Sequence, residues 1–414
     1  MIKKYNILDF SIGSTYPPKS GDQLRIYNLN LNTSSKYNIV QFSFFPSEYI
    51  GRKYKLLSNL KREVKKINKS FPIKTKKIPY TNNYLEYTWI NPSYWLYNYI
   101  KYNLSLNLPI FLPEIIDPNT VRFIKHIINK SNIIQLENPF LYDIIKNYVP
   151  RNKIIILVEH NVFSELYKNK CNKTILKIIK EKEKQALEMS DIIIVVSDED
   201  KNILCDAYDV DKNSTFVIPN GVNASKIEIP TIKEKNVLKK KFGLSNKFII
   251  LFTGSNYFPN IEAVKYINNI IRNIKNENTL FLIAGSVGDH VKRIKNKNII
   301  YTGFVDNIEP FFKMADIAIN PVITGGGTNI KILEYMAYGL PVITTKFGAR
   351  GLCITNNKNI IISKRTNFSC KIEELIYDEK KRQILTQEGK KLVNSYYDWK
   401  VLADKMLNIY NKIL

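Results

Sequence analysis

Residues 321–334 read PVITGGGTNIKILE, and this stretch concentrates the side chains and backbone groups best suited to chemistry. Three consecutive glycines, Gly325, Gly326 and Gly327, lie between an apolar strand pattern and an apolar-periodic helix pattern. Glycine lets a backbone approach a ligand closely, and N–H groups at the start of a helix attract an anion. Lys331 falls in the first turn of that helix, where a cation opposes the macrodipole, so a second partner is needed to explain it. A bound diphosphate would be such a partner, held jointly by Lys331 and the amides of Gly325–Gly327 and Thr328. Glu334, three residues on, sits on a neighbouring face and is placed to accept hydrogen bonds from ribose hydroxyls. The plainer alternative is a flexible loop leading into a surface helix with one Lys–Glu pair. The order strand, GGGT, Lys, Glu and then the strand PVITT argues against it.

Other positions carry weaker signals. Gly21, in PPKSGDQLR, stands between the first strand and its helix, where a turn glycine is unremarkable. Arg25, one helical turn later, either contacts a phosphorylated acceptor or is solvated at the surface. His160 and Asn161 follow the apolar strand IIILVE directly. Phe304 lies in Gly303–Phe304–Val305 after the strand IIYT, its side chain a core candidate and its backbone a candidate reader of a base edge. Asn220–Gly221 reads as a structural turn. Cys171, Cys205, Cys353 and Cys370 are scattered without CxxC spacing, and His126, His160 and His290 form no cluster with them. Neither a disulfide framework nor a metal site is expected, and a reducing compartment fits this usage.

The elements that must position these residues follow from periodicity. Short apolar strands alternate with longer helical stretches in two halves, the pattern of parallel sheets with crossover helices. The first half predicts strands at 5–10, 37–44, 133–136, 153–158, 192–196 and 215–218. The second predicts them at 248–252, 280–284, 299–302, 317–320, 341–345 and 360–362. The polar stretch 223–235 reads as the boundary, and 394–414 as a final helix with Trp399, Leu402, Met406, Ile409 and Tyr410 on one side. A chain of 414 residues exceeds what one core usually serves, so two domains are expected. Its 62 basic and 37 acidic residues give a net charge of +25, a field that attracts polyanions, anionic membrane surfaces or phosphorylated substrates. The basic residues are widely spread and no nucleic-acid-binding motif is present, so nucleic acid is not the expected partner. No signal segment and no apolar run of spanning length is seen, which predicts a cytoplasmic protein. Residues 52–77 hold eleven basic residues against one acidic, and 84–104 are rich in Tyr and Trp. Either this is a solvated basic helix followed by an aromatic core helix, or this face rests peripherally on an anionic membrane, on its inner side.

GGGTNIKILEYMAYGLPVITTKFGARGL, from Gly325 to Leu352, resembles the C-terminal signature of glycosyltransferase family 4, in the subgroup with a GGGTxxKxxE donor loop. LFTGSNYFPNIEAV (251–264), FLIAGS (281–286), VIPNGV (217–222), EHNVFSELY (159–167) and YPPKSGDQLRIYNL (16–29) look like further family blocks in family order. The resemblance implies an α/β GT-B architecture of two doubly wound, Rossmann-like domains facing across a cleft. It assigns 1–225 to the acceptor side and 236–394 to the nucleotide-sugar side, with 395–414 a helix crossing back. It implies a retaining, metal-independent hexosyl transfer from a nucleotide-sugar donor to a glycan or lipid-linked acceptor in polysaccharide or glycolipid synthesis, with no cofactor. His160 and Lys331 become the catalytic candidates. Gly21, Gly254, Ser255, Phe304, Gly325, Gly326, Gly327, Thr328, Lys331 and Glu334 become donor contacts, and Arg25 and Asn161 acceptor-side candidates. Two departures stand out. The Glu-x7-Glu pair of many members has Gly326 at its first position here, and Ser255 follows Gly254 where many members carry an Arg. Diphosphate charge would then rest on Lys331, the loop amides and Arg350, whose role the sequence leaves open. A catalytically silent relative acting as a binding module is the competing reading; a GT-B epimerase or phosphorylase is disfavoured by the transferase-like block.

Overall fold

The computed structural model describes residues 6–18, 20–44, 73–77, 83–89 and 118–414. It divides into two compact units, Met1–Ile218 with Ala403–Leu414, and Pro219–Leu402.

In the first unit the strands are β1 (Asn6–Ser11), β2 (Asn38–Ser43), β3 (Ile73–Lys77), β4 (Tyr84–Trp89), β5 (Ile133–Leu136), β6 (Ile154–Glu159), β7 (Ile192–Val195) and β8 (Thr215–Val217). They form one sheet in the order β3-β4-β2-β1-β5-β6-β7-β8, parallel throughout except for the antiparallel β3–β4 pair. Runs such as Ile192–Val195 are apolar at every position because helices cover both faces of a parallel sheet. The covering helices are α1 (Gly21–Thr33), α2 (Pro118–Lys130), α3 (Tyr142–Ile145), α4 (Phe163–Tyr167), α5 (Lys173–Glu188) and α6 (Asp198–Tyr208). The strand order reverses between β1 and β5, so the loops leaving β1, β5 and β6 gather at the carboxyl edge beside the switch point, the usual ligand site of such sheets.

The aromatic run beginning at Tyr84 departs from expectation. No aromatic helix forms at 84–89; these residues are β4, with Tyr84 and Glu86 buried. Aromatic and Thr side chains favour a pleated, half-buried setting. Glu86 is tolerated inside because its Oε1 accepts from Thr15 N and Ser43 Oγ, both at 2.8 Å, while Tyr84 Oη pairs with Thr15 Oγ1 at 2.9 Å. Of the basic stretch, 73–77 is a strand rather than a helix; positions 52–72, and the remainder of the aromatic run at 90–104, lie outside the described residues.

The second unit holds β9 (Phe248–Thr253), β10 (Thr279–Ala284), β11 (Ile299–Gly303), β12 (Ile317–Asn320), β13 (Val342–Thr344) and β14 (Ile361–Ile362), all parallel, in the order β11-β10-β9-β12-β13-β14. Its helices are α7 (Ile232–Lys241), α8 (Phe258–Ile270), α9 (Glu309–Met314), α10 (Ile330–Ala337), α11 (Phe368–Tyr377) and α12 (Glu379–Leu392). Separate apolar clusters lie on the two faces of the sheet, one around Leu251 and Leu333, the other around Phe252 and Ile343. The order reverses between β9 and β12, and the glycine triplet leaves β12 at that point. The polar stretch at 223–235 is folded within this unit. Thr231 and Glu234 make a capping box at the start of α7, so the polarity reflects a helix start and an exposed helix face.

The helix α13 (Trp399–Ile413) starts in the second unit, and its residues from Ala403 onward pack in the first. Trp399 is fully buried, and a Cβ on Gly221 would meet its ring at 2.7 Å. In the first unit Tyr410 Oη donates to Gln135 Oε1 at 2.8 Å. Among the described residues no helix is long and apolar enough to cross a membrane.

Two consequences are measurable. Gly221→Ala forces Trp399 or Leu402 aside and should lower the unfolding free energy by about 1–3 kcal/mol in chemical denaturation. Glu159, at the end of β6, is fully buried and its carboxyl oxygens have no hydrogen-bond partner among the described residues. Burial, with Glu183 and Asp200 nearby, pushes its pKa well above the ordinary carboxyl value. A group whose pKa rises on folding stabilises at low pH, and that contribution is lost as pH climbs through the folded value. Glu159→Gln should therefore gain stability relative to the parent chain as pH is raised from about 5 to 8; a pH-independent difference would contradict the buried neutral acid.

Candidate functional site

The second unit builds its site from the exit of β12. Arg365 fixes that exit: its Nε donates to Pro321 O at 2.7 Å, it pairs with both oxygens of Glu262 at 2.6 Å, and it lies over the Tyr266 ring at 4.6 Å. Gly325 and Gly327 then adopt φ of +129° and +63°, which side-chain-bearing residues rarely reach. Arg350, stacked on Phe347 at 4.3 Å, donates to Gly325 O at 3.3 Å and Gly327 O at 2.5 Å. In a trans peptide the N–H points opposite to the C=O, so the pinned carbonyls turn the following amides, Gly326 and Thr328, away from Arg350. Among the described residues the N–H groups of residues 325–328 have no acceptor. Asn220 Nδ2 holds Thr328 Oγ1 at 2.7 Å and Asn329 Nδ2 donates to Gly348 O at 3.1 Å, completing the brace.

Lys331 is the second residue of α10. Its ammonium donates to Thr253 O, at the end of β9, and to Asn260 Oδ1, both at 2.7 Å, and lies 4.4 Å from the centroid of the Phe252 ring. Those partners answer the dipole problem in part. Burial still pulls its pKa down to about 7, with Glu334 opposing the shift. Burial likewise raises Glu334, with Lys331 opposing, and among the described residues the Glu334 carboxylate accepts no hydrogen bond. The result is a cluster of unused amide donors, an ammonium poised near neutrality and an unused carboxylate.

The remaining donor-side candidates stand differently. Gly254 donates its N–H to Ala284 O at 3.0 Å and accepts from Val287 N at 3.1 Å, so its amide is not available to a ligand. A Cβ there would lie 3.0–3.2 Å from the Asn260 side chain, so a larger residue would have to push Asn260 aside. Ser255 is exposed, and its carbonyl holds Tyr257 N and Asn260 Nδ2. Phe304 is not core: it is 72% exposed, and its N–H is taken by Asp289 Oδ2 at 2.9 Å, which leaves the ring for a ligand rather than the amide donor.

In the first unit His160 and Asn161 lie just past β6, and Glu183 on α5 anchors the turn after them. Its carboxylate accepts from Phe163 N at 2.5 Å, Ser164 N at 3.2 Å and Tyr208 Oη at 2.5 Å. His160 is partly buried, and its Nε2 meets Glu137 Oε2 at 2.7 Å, whereas His126 and His290 are exposed. Asn161 is partly buried, and Gly21 is the exposed first residue of α1. Arg25 is not solvated: it is fully buried on α1, where burial draws its pKa down to about 10 against the pull of nearby Glu137. Glu137, Asn220, Asn260 and the brace by Arg350 escaped sequence reasoning, since each acts through a partner far along the chain. The only hint was a polar ENP triplet directly after the buried strand IIQL.

Known proteins resemble this chain in sequence and in fold. Residues 247–378 match the family model described as Glycosyl transferases group 1, and residues 105–226 match that described as Glycosyltransferase Family 4. The chain is 26% identical over 273 residues to the UDP-Gal:alpha-D-GlcNAc-diphosphoundecaprenol alpha-1,3-galactosyltransferase of Escherichia coli, covering 61% of this chain and 68% of that enzyme. It is 24% identical over 254 residues to the capsular polysaccharide biosynthesis glycosyltransferase CapM of Staphylococcus aureus, covering 56% and 64%. The crystal structure of Anabaena HepE in complex with UDP and glucose superposes with a TM-score of 0.68 at 12% identity, over 99% of this chain and 100% of that one, a likeness of fold. The family matches, the glycosyltransferase relatives and the two Rossmann-like sheets together support assignment of the chain to the family 4, GT-B glycosyltransferases.

Proposed function

We propose that this protein transfers a hexosyl group from a nucleoside-diphosphate sugar to a hydroxyl of a glycan or lipid-linked acceptor, with retention at the anomeric carbon and without a metal ion. The observation that carries the reading is the set of unused N–H groups at 325–328 beside the Lys331 ammonium. In this reading the amides and Lys331 take up the charge that develops on the departing diphosphate, the electrostatic work such sites perform. Glu334 receives the ribose hydroxyls, and the Phe304 ring and Ser255 flank the donor. In the first unit His160 serves the transferred sugar, with Gly21, Asn161 and Arg25 on the acceptor side. The bond from the anomeric carbon to the diphosphate breaks, a bond to the acceptor oxygen forms on the same face, and the acceptor proton leaves with the diphosphate. The acceptor named for the Escherichia coli relative supports a lipid-linked substrate, and CapM supports a polysaccharide pathway. A cytoplasmic protein resting peripherally on an anionic membrane suits both.

Thermal-shift measurements with UDP-, GDP- and ADP-sugars test the reading directly: one base series should stabilise the chain, and no shift with any would sink it. Lys331→Ala should lower turnover by about 10²–10³-fold and weaken donor binding, read by initial rates and calorimetry. Because the free Lys331 titrates near 7, a bound diphosphate that keeps it charged must raise that value. Binding is then strongest below about pH 7 and weakens as pH rises through the bound-state value, with proton uptake at pH 8. Calorimetry in buffers of different ionisation enthalpy should detect this uptake in the native chain and not in Lys331→Met.

A further inference from the structure

Parallel strands β5 and β6 are neighbours, with Leu136 beside Leu157, so the residues that follow them emerge side by side at the carboxyl edge of the first unit. One step beyond β5 is Glu137, 6% exposed, and one step beyond β6 is His160. Glu137 Oε2 lies 2.7 Å from His160 Nε2, and its Oε1 accepts from Gln135 Nε2 at 2.6 Å. Gln135 is itself held by Tyr410 Oη through Oε1. Both carboxylate oxygens are thus engaged, one by a fixed amide and the other by the imidazole, and Arg25 lies close enough to supply counter-charge. Among the described residues His160 Nδ1 has no hydrogen-bond partner.

A neutral imidazole carries one proton, and the nitrogen that meets a carboxylate is the one that keeps it. We propose that Glu137 is the positioning residue of His160: it retains the hydrogen on Nε2, fixes the ring plane, and leaves Nδ1 as the acceptor offered to substrate. Gln135 and Tyr410 in turn stop the carboxylate from rotating away. This rests on the reading of His160 as a residue that serves the transferred sugar, but the geometry of the pair stands without it. Asp9 adjoins the same carboxylate from β1, and burial followed by the charge of Glu137 pushes its pKa well up.

The first test needs no activity. Nitrogen-15 NMR of the full chain labelled at histidine, with His160 assigned through His160→Gln, should show neutral His160 protonated at Nε2. A ring protonated at Nδ1, or a mixture of the two tautomers, would overturn the proposal. The second test uses Glu137→Gln, which keeps the shape and removes the charge. Its kcat should fall by about 10- to 100-fold, the range for carboxylates that orient metal-bound histidines, with donor KM within about twofold. Glu137→Asp should recover part of the loss. In a His160→Gln background, Glu137→Gln should cost nothing further, because its effect runs through the ring. An additive loss in the double variant, or full activity in a Glu137→Gln chain of native melting temperature, would refute it. Full activity in His160→Gln would instead remove the catalytic reading of His160 and leave the NMR result to decide the pairing.

Discussion

One guanidinium sets the geometry of the glycine loop. Arg350 grips two carbonyls of the triplet, and peptide planarity converts that grip into an orientation for the amides that follow them. Left-handed φ values at Gly325 and Gly327 make the conformation possible, and the Arg365–Glu262 pair holds the preceding segment still. The loop's conformation is therefore fixed by the chain's own residues. Donors fixed in advance need no reorganisation when charge develops, which is why such loops act on transition states as well as ground states.

Both units bury ionisable groups. The chain as a whole bears +25, yet the interior of the first unit holds Asp9, Glu86, Glu137, Glu159 and Glu183 as buried acids. Some are tied to amides and hydroxyls, as Glu86 and Glu183 are; the Glu159 carboxyl has no such partner among the described residues, and burial pushes its pKa well up. In the second unit the ionisable pair at the candidate site is Lys331 with Glu334. Lys331 has carbonyl partners but, among the described residues, no carboxylate in contact, and burial pulls its pKa down to about 7.

Much of this was legible in the residues. Each expected strand has a counterpart in the structure within a residue or two, because buried parallel strands write themselves as unbroken apolar runs. Strands β3 and β4 were not legible. The edge strand's KTKK lacks the apolar alternation by which a strand is read, and YLEYTW hides a buried Glu86 whose partners, Thr15 and Ser43, lie far away in sequence. The glycine loop, Lys331 and Glu334 could be found from spacing. Arg350 could be named but not explained, and Glu137 not named at all, since neither a brace nor a dyad has a local pattern. Gly254 and Phe304 were recognised by position, while the fate of their amides depended on Ala284 and Asp289, which only the folded chain reveals.

The helix from Trp399 to Ile413 has a consequence for how the chain assembles. Tyr410 meets a partner 275 positions earlier, and Tyr37 reaches Asn411 across 374. The first unit is thus discontinuous, with the whole second unit inserted before its last segment is made. On a ribosome the continuous unit can mature at once, while its partner must wait with Gln135 and Tyr37 uncovered. Contacts of such long reach close slowly, so the docking of this helix onto a sheet that has already stood open comes late in folding.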